Sequence, residues 1–98
     1  MAKFEWDERK NSANEKKHGM NFADASDVFN DPDRLISRVD RNGEKRFFTV
    51  GKAFLAIISL VYTIRGVVIR IISARRSSKE ERRAYLNNKL RKSQDDEK

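Results

Sequence analysis

With 98 residues, 22 Lys and Arg against 15 Asp and Glu, a net charge of +7 and no cysteine, the chain excludes a disulfide framework, a cysteinyl zinc site and a cysteine nucleophile. Its charge favours a polyanionic partner, most simply nucleic acid. No apolar run approaches the roughly 20 residues that span a bilayer, and the opening MAKFEWDERK lacks the apolar segment of a signal peptide. A soluble cytoplasmic protein without membrane contact is therefore expected. One domain over residues 1–90 is expected, with a flexible tail over 91–98.

Phe4 and Trp6 alternate with Glu5 and Asp7, the pattern of a short strand or extended arm that buries both rings. Asp7 is positioned to cap a helix over Glu8 to His18, ended by Gly19, with Lys16, Lys17 and His18 in the last turn where cations suit the helix dipole. That helix has almost no apolar face. Asn11, Asn14 and His18 share one side of it, either to bond neighbouring backbone or to face a site. Asn21 and Asp24 suggest a second cap, and Phe22, Ala25, Val28 and Phe29 form an apolar stripe for a second helix, stopped at Asp31-Pro32.

Four strands follow. Leu35–Asp40 and Lys45–Val50 flank Asn42-Gly43, a strong hairpin signal. Gly51-Lys52 reads as the next turn, and Arg65-Gly66 splits the most apolar stretch, LAIISLVYTIRGVVIRIISAR at 55–75, into two further strands. Two-residue loops at these places set Val39 opposite Arg46, Arg46 opposite Ile57, Ile57 opposite Ala74 and Val61 opposite Arg70. Alternation then assigns Ile58, Leu60, Tyr62, Ile64, Val67, Ile69 and Ile71 to the core face, and Arg46, Ile57, Ser59, Val61, Thr63, Val68 and Arg70 to the other. Arg75 lands on the core side unless a bulge intervenes. Ser77, Ser78, Glu80 and Glu81 offer overlapping capping boxes for a last helix over about Lys79 to Leu90, whose Tyr85, Leu86 and Leu90 can pack on the sheet. The fold class is α+β: two N-terminal helices, a four-stranded antiparallel meander and a C-terminal helix.

No nucleophilic triad, glycine-rich phosphate loop or metal-binding motif is present; Asp7, Asp24, Asp27 and Asp31 read as caps and turn residues. What remains is a set of cations. Arginines on a sheet, near a helix bearing Lys17 and His18, can bind phosphates and can cleave RNA without metal. The 2′-hydroxyl attacks the adjacent phosphorus while guanidinium groups stabilise the charge that develops on phosphoryl oxygens. His18, the only histidine, is the default acid or base. The plainer readings are a helix-capping role for His18 and salt bridges from the arginines to Asp40, Glu44 or Glu81. A non-catalytic basic nucleic-acid-binding or autorepressor module is the alternative function.

FEWD at 4–7, Lys10-Asn11, Asn14 and KHG at 17–19, then Phe22, Ala25, Val28-Phe29, Asp31-Pro32, Glu44 with Arg46-Phe47, Gly51, Tyr62-Thr63 with Arg65, IRIISAR at 69–75, Glu81 and Tyr85 resemble the BrnT toxin family. The chain departs from that pattern in the compact Gly51–Phe54 connection and in Arg41-Asn42-Gly43. The resemblance implies a RelE-like fold and the toxin half of a bacterial type II toxin–antitoxin system, a small ribonuclease that inhibits translation and needs no metal or other cofactor. It implies RNA as substrate and a cognate ribbon-helix-helix antitoxin, BrnA, as partner. Operator DNA is then reached only through the antitoxin, and a homodimer can form within the complex. Carried over by position, the functional residues are Lys17, His18, Arg46, Arg65, Arg70, Arg75 and Tyr85.

Overall fold

The computed structural model describes residues 3–96. The aromatic–acid alternation forms β1 (Lys3–Glu5). It turns Phe4 inward onto Phe29, 5.4 Å between ring centroids, and so leaves Glu5 on the opposite side of the sheet. Asp7 caps α1 (Glu8–His18) through the backbone N–H of Arg9, and Gly19 ends it at φ 68°, a left-handed conformation that costs glycine little. Asn21 caps a single turn, α2 (Phe22–Ala25), which tightens into a 3₁₀ turn over Ser26–Asn30.

Four longer strands follow: β2 (Leu35–Arg41), β3 (Glu44–Ala53), β4 (Ala56–Arg65) and β5 (Val68–Arg76), each antiparallel to the one before. The sheet order is β1-β5-β4-β3-β2, with β1 parallel to β5. The last element, α3 (Lys79–Asp96), opens with a reciprocal cap: the Ser78 N–H donates to Glu81 Oε1, and the Glu81 N–H to Ser78 Oγ. Its first turns lie over the end of the sheet, burying Tyr85, while Leu86 and Leu90 stay exposed.

The core lies between one face of the sheet and the segment from α2 to the 3₁₀ turn. Phe22, Ala25 and Val28 pack on Ala53, Ile58, Leu60, Tyr62, Ile71 and Ala74. With so little apolar surface, α1 is docked by a polar contact instead. Buried Asn14 donates from Nδ2 to the carbonyl oxygens of Ala74 (2.7 Å) and Met20 (2.9 Å), and its Oδ1 accepts from the Ala74 N–H (3.2 Å). β1 pairs only with Val68–Arg70, so the Asn14 amide serves as a one-residue stand-in for the strand that β5 lacks at Ala74. Asn11 likewise accepts from the Phe22 N–H. These amides bond neighbouring backbone, the structural alternative of the two readings.

The expected fold class needs correction. The sheet has five strands and is mixed, because the N-terminal segment pairs parallel to β5, so the four-stranded antiparallel meander with two N-terminal helices of the RelE-like expectation does not hold. The second helix is only a four-residue turn running into 3₁₀ geometry. The Gly51-Lys52 turn is also corrected: both residues lie inside β3. Gly51 is there for close approach, since a Cβ would meet Val28 Cγ2 at 2.7 Å. The chain turns at Phe54-Leu55, with Phe54 at φ 55°, and the next hairpin turns at Gly66-Val67. Leu86 and Leu90 do not join the packing expected of them, because α3 runs past the sheet to Asp96. Of the expected tail, residues 97 and 98 lie outside the described residues.

Replacing Asn14 by Leu keeps the volume but strips the Ala74 N–H and C=O of their partners. Unpaired buried backbone groups cost about 1–3 kcal/mol each, so Asn14→Leu should lose about 2–4 kcal/mol of unfolding free energy, read from the urea midpoint at unchanged slope.

Candidate active site on the open face of the sheet

The face turned away from α1 is organised in rows across the strands. Val39 pairs with Arg46 and Thr63 with Arg70, which pairs in turn with Glu5. Alternation puts Arg46 and Thr63 on the same face, one residue beyond the Phe47–Tyr62 pair. The next row carries Ser37, Phe48, Val61 and Ser73, and the third Leu35, Val50, Ser59 and Arg75. Arg65 ends β4 opposite Val68, on the same face by the same alternation. At a strand spacing of about 4.8 Å, the backbones bearing Arg46 and Arg70 are about 10 Å apart, with Thr63 between them.

Arg75 reaches this face because β5 carries one extra residue. Tyr62 pairs with Ile71 and Val61 with Ser73, leaving Ile72 as the bulge. Without it, Arg70 and Arg75, five positions apart, would point to opposite faces.

Each of three arginines meets a carboxylate. Arg46 Nε donates to Glu44 Oε1 at 3.2 Å, Arg70 Nη1 lies 3.5 Å from Glu5 Oε2, and Arg75 binds Glu81 through two bonds of 2.7 and 2.9 Å. Arg75 also stands 6.0 Å from the centre of the Phe48 ring, within cation–π range. Glu81 Oε1 accepts further bonds from Ser59 Oγ and the Ser78 N–H, both 2.8 Å. The Arg75 bonds, against the opposing effect of burial and with help from Ser78 and Ser59, hold the Glu81 carboxyl down at about 2. The same bonds push Arg75 up.

Tyr85 is buried on α3, and its hydroxyl donates to Asp31 Oδ2. Burial first, then the Asp31 carboxylate, pushes the phenol well up. Burial works to raise Asp31 as well, but the Tyr85 hydroxyl, the backbone N–H groups of Lys52 and Asp33 and the Lys89 charge outweigh it and leave Asp31 lowered. Tyr85 therefore ties α3 to the entry of β2. Lys17 and His18 occupy the last turn of α1, a helix held at the free edge of β5 by the Asn14–Ala74 contact. So the structure brings together Arg46, Arg65, Arg70 and Arg75. It does not bring Lys17 or His18 to them, and it gives Tyr85 a packing contact at the covered end.

Sequence reasoning missed Glu5, whose partner lies 65 positions away. The available signal was the alternation itself: if Phe4 is buried, Glu5 must face the other side. Glu44 and Glu81 do pair with the arginines, whereas Asp40 pairs with Arg38. Among the described residues no three His, Asp or Glu side chains converge as a metal cluster would, and no helix is long and apolar enough to cross a membrane. The arrangement can hold phosphate oxygens along a strand of nucleic acid, with bidentate guanidinium geometry.

A family model described as "Ribonuclease toxin, BrnT, of type II toxin-antitoxin system" matches residues 6–81. A search of curated proteins found no match.

The Arg75–Glu81 pair makes stability depend on pH. A carboxyl at about 2 in the fold and near its ordinary 4.5 when unfolded contributes stability that is fully present above 4.5 and is lost as pH falls toward 2. Glu81→Gln should therefore cost about 1–2 kcal/mol at neutral pH for this partly solvated pair. The deficit should shrink below pH 4.5 and nearly vanish near pH 2, as followed by urea unfolding at a series of pH values.

Proposed function

The chain belongs to the BrnT family of ribonuclease toxins of type II toxin–antitoxin systems, and on that premise we propose that it is a metal-independent endoribonuclease that inhibits translation by cutting RNA on the arginine face. The observation that carries this reading is the shared face of Arg46 and Arg70 on either side of Thr63. The 2′-hydroxyl of a bound nucleotide attacks its own 3′-phosphorus, and negative charge grows on the non-bridging oxygens. Arg46 and Arg70 bind those oxygens, and fixed guanidinium groups stabilise that charge without reorganising. Arg65 at the open end and Arg75 at the end under α3 bind the flanking phosphates. The net positive charge draws the RNA in, which makes binding steeply salt-dependent. Lys17 and His18, on the helix at the edge of β5, act outside the reacting group, and Tyr85 holds α3 in place.

The antitoxin in this reading is a BrnA-type ribbon-helix-helix protein that neutralises the toxin by covering the arginine face, with operator DNA bound through the antitoxin and a homodimer of the toxin within the complex. The site of action is the cytoplasm, where translated RNA is found.

Purified protein should cut single-stranded RNA in the presence of EDTA. Arg70→Ala should reduce the cleavage rate about 100-fold or more, the scale of losing one charge-stabilising donor, with little change in melting temperature. RNA left intact at high protein concentration would sink the proposal, and salt-sensitive binding without scission would favour a non-catalytic nucleic-acid-binding module.

A further inference from the structure

We propose that Glu5 is the general base of the RNA-cleaving reaction, the group that takes the proton from the attacking 2′-hydroxyl. The assignment rests on the arginine face being the reacting surface. A base must reach within about 3 Å of the proton it removes. The attacking oxygen must also approach to about 3–3.5 Å of the phosphorus. Base and phosphate-binding guanidinium are therefore neighbours in any working site. Among the described residues Arg70 has the Glu5 carboxylate beside it and no hydrogen bond to His18, which ends a helix docked at the edge of β5 by the Asn14–Ala74 contact.

Three carboxylates line the arginine face. Glu81 is committed: its two oxygens accept from Arg75, Ser59 and the Ser78 N–H. Glu44 lies beside the Asn42-Gly43 turn and accepts from Arg46 Nε at 3.2 Å. Glu5 differs from both. Its Oε2 stands 3.5 Å from Arg70 Nη1, its side chain is as exposed as that of Glu44 (42% each), and among the described residues it makes no side-chain hydrogen bond. The parallel pairing of β1 with β5 sets Glu5 directly beside Arg70. β1 is also the edge of the sheet, so an RNA strand can approach from the side with no further strand in the way. One pair of adjacent residues thus offers a proton acceptor held by a single long ion pair and a phosphate binder.

The step balances without a redox partner. The O2′–H bond breaks and its proton passes to the Glu5 carboxylate. The O2′–P bond forms, the P–O5′ bond breaks, and the departing 5′-oxygen takes a proton from water. The products are a 2′,3′-cyclic phosphate and a 5′-hydroxyl end, and Glu5 returns its proton to solvent.

The test compares the full chain with Glu5→Gln and Glu5→Ala on an RNA oligonucleotide. Binding is measured on the same oligonucleotide carrying a 2′-deoxy sugar at the cut position, which cannot react. Cleavage by either variant should fall about 100- to 10,000-fold, the range for removing a general base, while affinity for the deoxy oligonucleotide stays within threefold or rises. Formate or acetate should restore part of the cleavage in Glu5→Ala and none in Arg70→Ala, and such recovery occurs only in a folded chain. If wild type cuts while Glu5→Gln cuts within threefold of it, the base assignment falls and the ribonuclease reading stands. If Glu5→Ala loses affinity along with cleavage and small carboxylates restore neither, Glu5 merely positions Arg70 and the assignment falls. If wild type does not cut RNA, the function itself falls and takes the base with it.

Discussion

The single extra residue Ile72 in β5 is the constraint on which the arrangement depends. β5 lies between β1 and β4 and serves both faces of the sheet. Before the bulge, Ile69 and Ile71 point to the core and Arg70 away from it. After the bulge, Ala74 points to the core and Arg75 away. A regular strand would have driven one of the two guanidinium groups into the layer that holds Phe22, Leu60 and Tyr62, at a desolvation cost no small domain can offset. Shifting the alternation by one position separates the apolar and cationic residues cleanly.

That separation fixes what the remaining elements can do. The core side needs cover, and α2 with the 3₁₀ turn supplies it through Phe22, Ala25 and Val28. α1 has too little apolar surface to help, so it is held by the Asn14 amide at Ala74, in the part of β5 that extends beyond its pairing with β1. The cationic side is left open except at its end. There α3 lies over Ser59 and Arg75, secured by Glu81 on one side and by the Tyr85–Asp31 bond on the other. The chain's surplus positive charge is therefore locally tempered. Arg46, Arg70 and Arg75 each meet a carboxylate, which limits their mutual repulsion when no polyanion is bound.

These carboxylates are not equivalent, and the difference follows from where the backbone holds them. Glu81 belongs to a helix-capping box, so its oxygens are engaged before any substrate arrives. Glu44 follows a tight turn. Glu5 is carried by a three-residue edge strand, where nothing else competes for it. Reactive groups tend to be those a rigid frame leaves incompletely satisfied, and here the frame is the parallel β1–β5 pairing.

The local punctuation was readable in the residues alone: the caps at Asp7, Asn21 and Ser78, the stop at Gly19, the Asn42-Gly43 turn and the stop before Pro32. So was the division of β4 and of β5 as far as Ile71 into two faces, even though two hairpins turned elsewhere than expected; Val67 and Ile64, expected in the core, are exposed at the hairpin end, and Arg75 lies on the open face because of the bulge. Phe47 pairs with Tyr62, six positions further along β4 than an Arg46–Ile57 pairing would set it, and Arg70 sits opposite Thr63 instead of Val61. Both displacements are even in residue number, and an even slip preserves the faces up to the bulge at Ile72; beyond it the shift is odd, with Ala74 opposite Leu60 instead of Ile57, and Arg75 changes face. The strand-like Gly51 was misread because its cause, Val28 pressing on it, is a contact between distant segments. The same applies to the parallel return of β1, the exposure of Leu86 and Leu90, and the pairing of Glu5 with Arg70. Alternation and capping are written in neighbouring residues, so the sequence by itself determined which side chains share a face within an unbroken stretch of strand and where helices begin. Which strands lie side by side, where an extra residue is accommodated and which carboxylate each arginine meets were decided only by tertiary packing, because those energies arise between residues far apart in the chain.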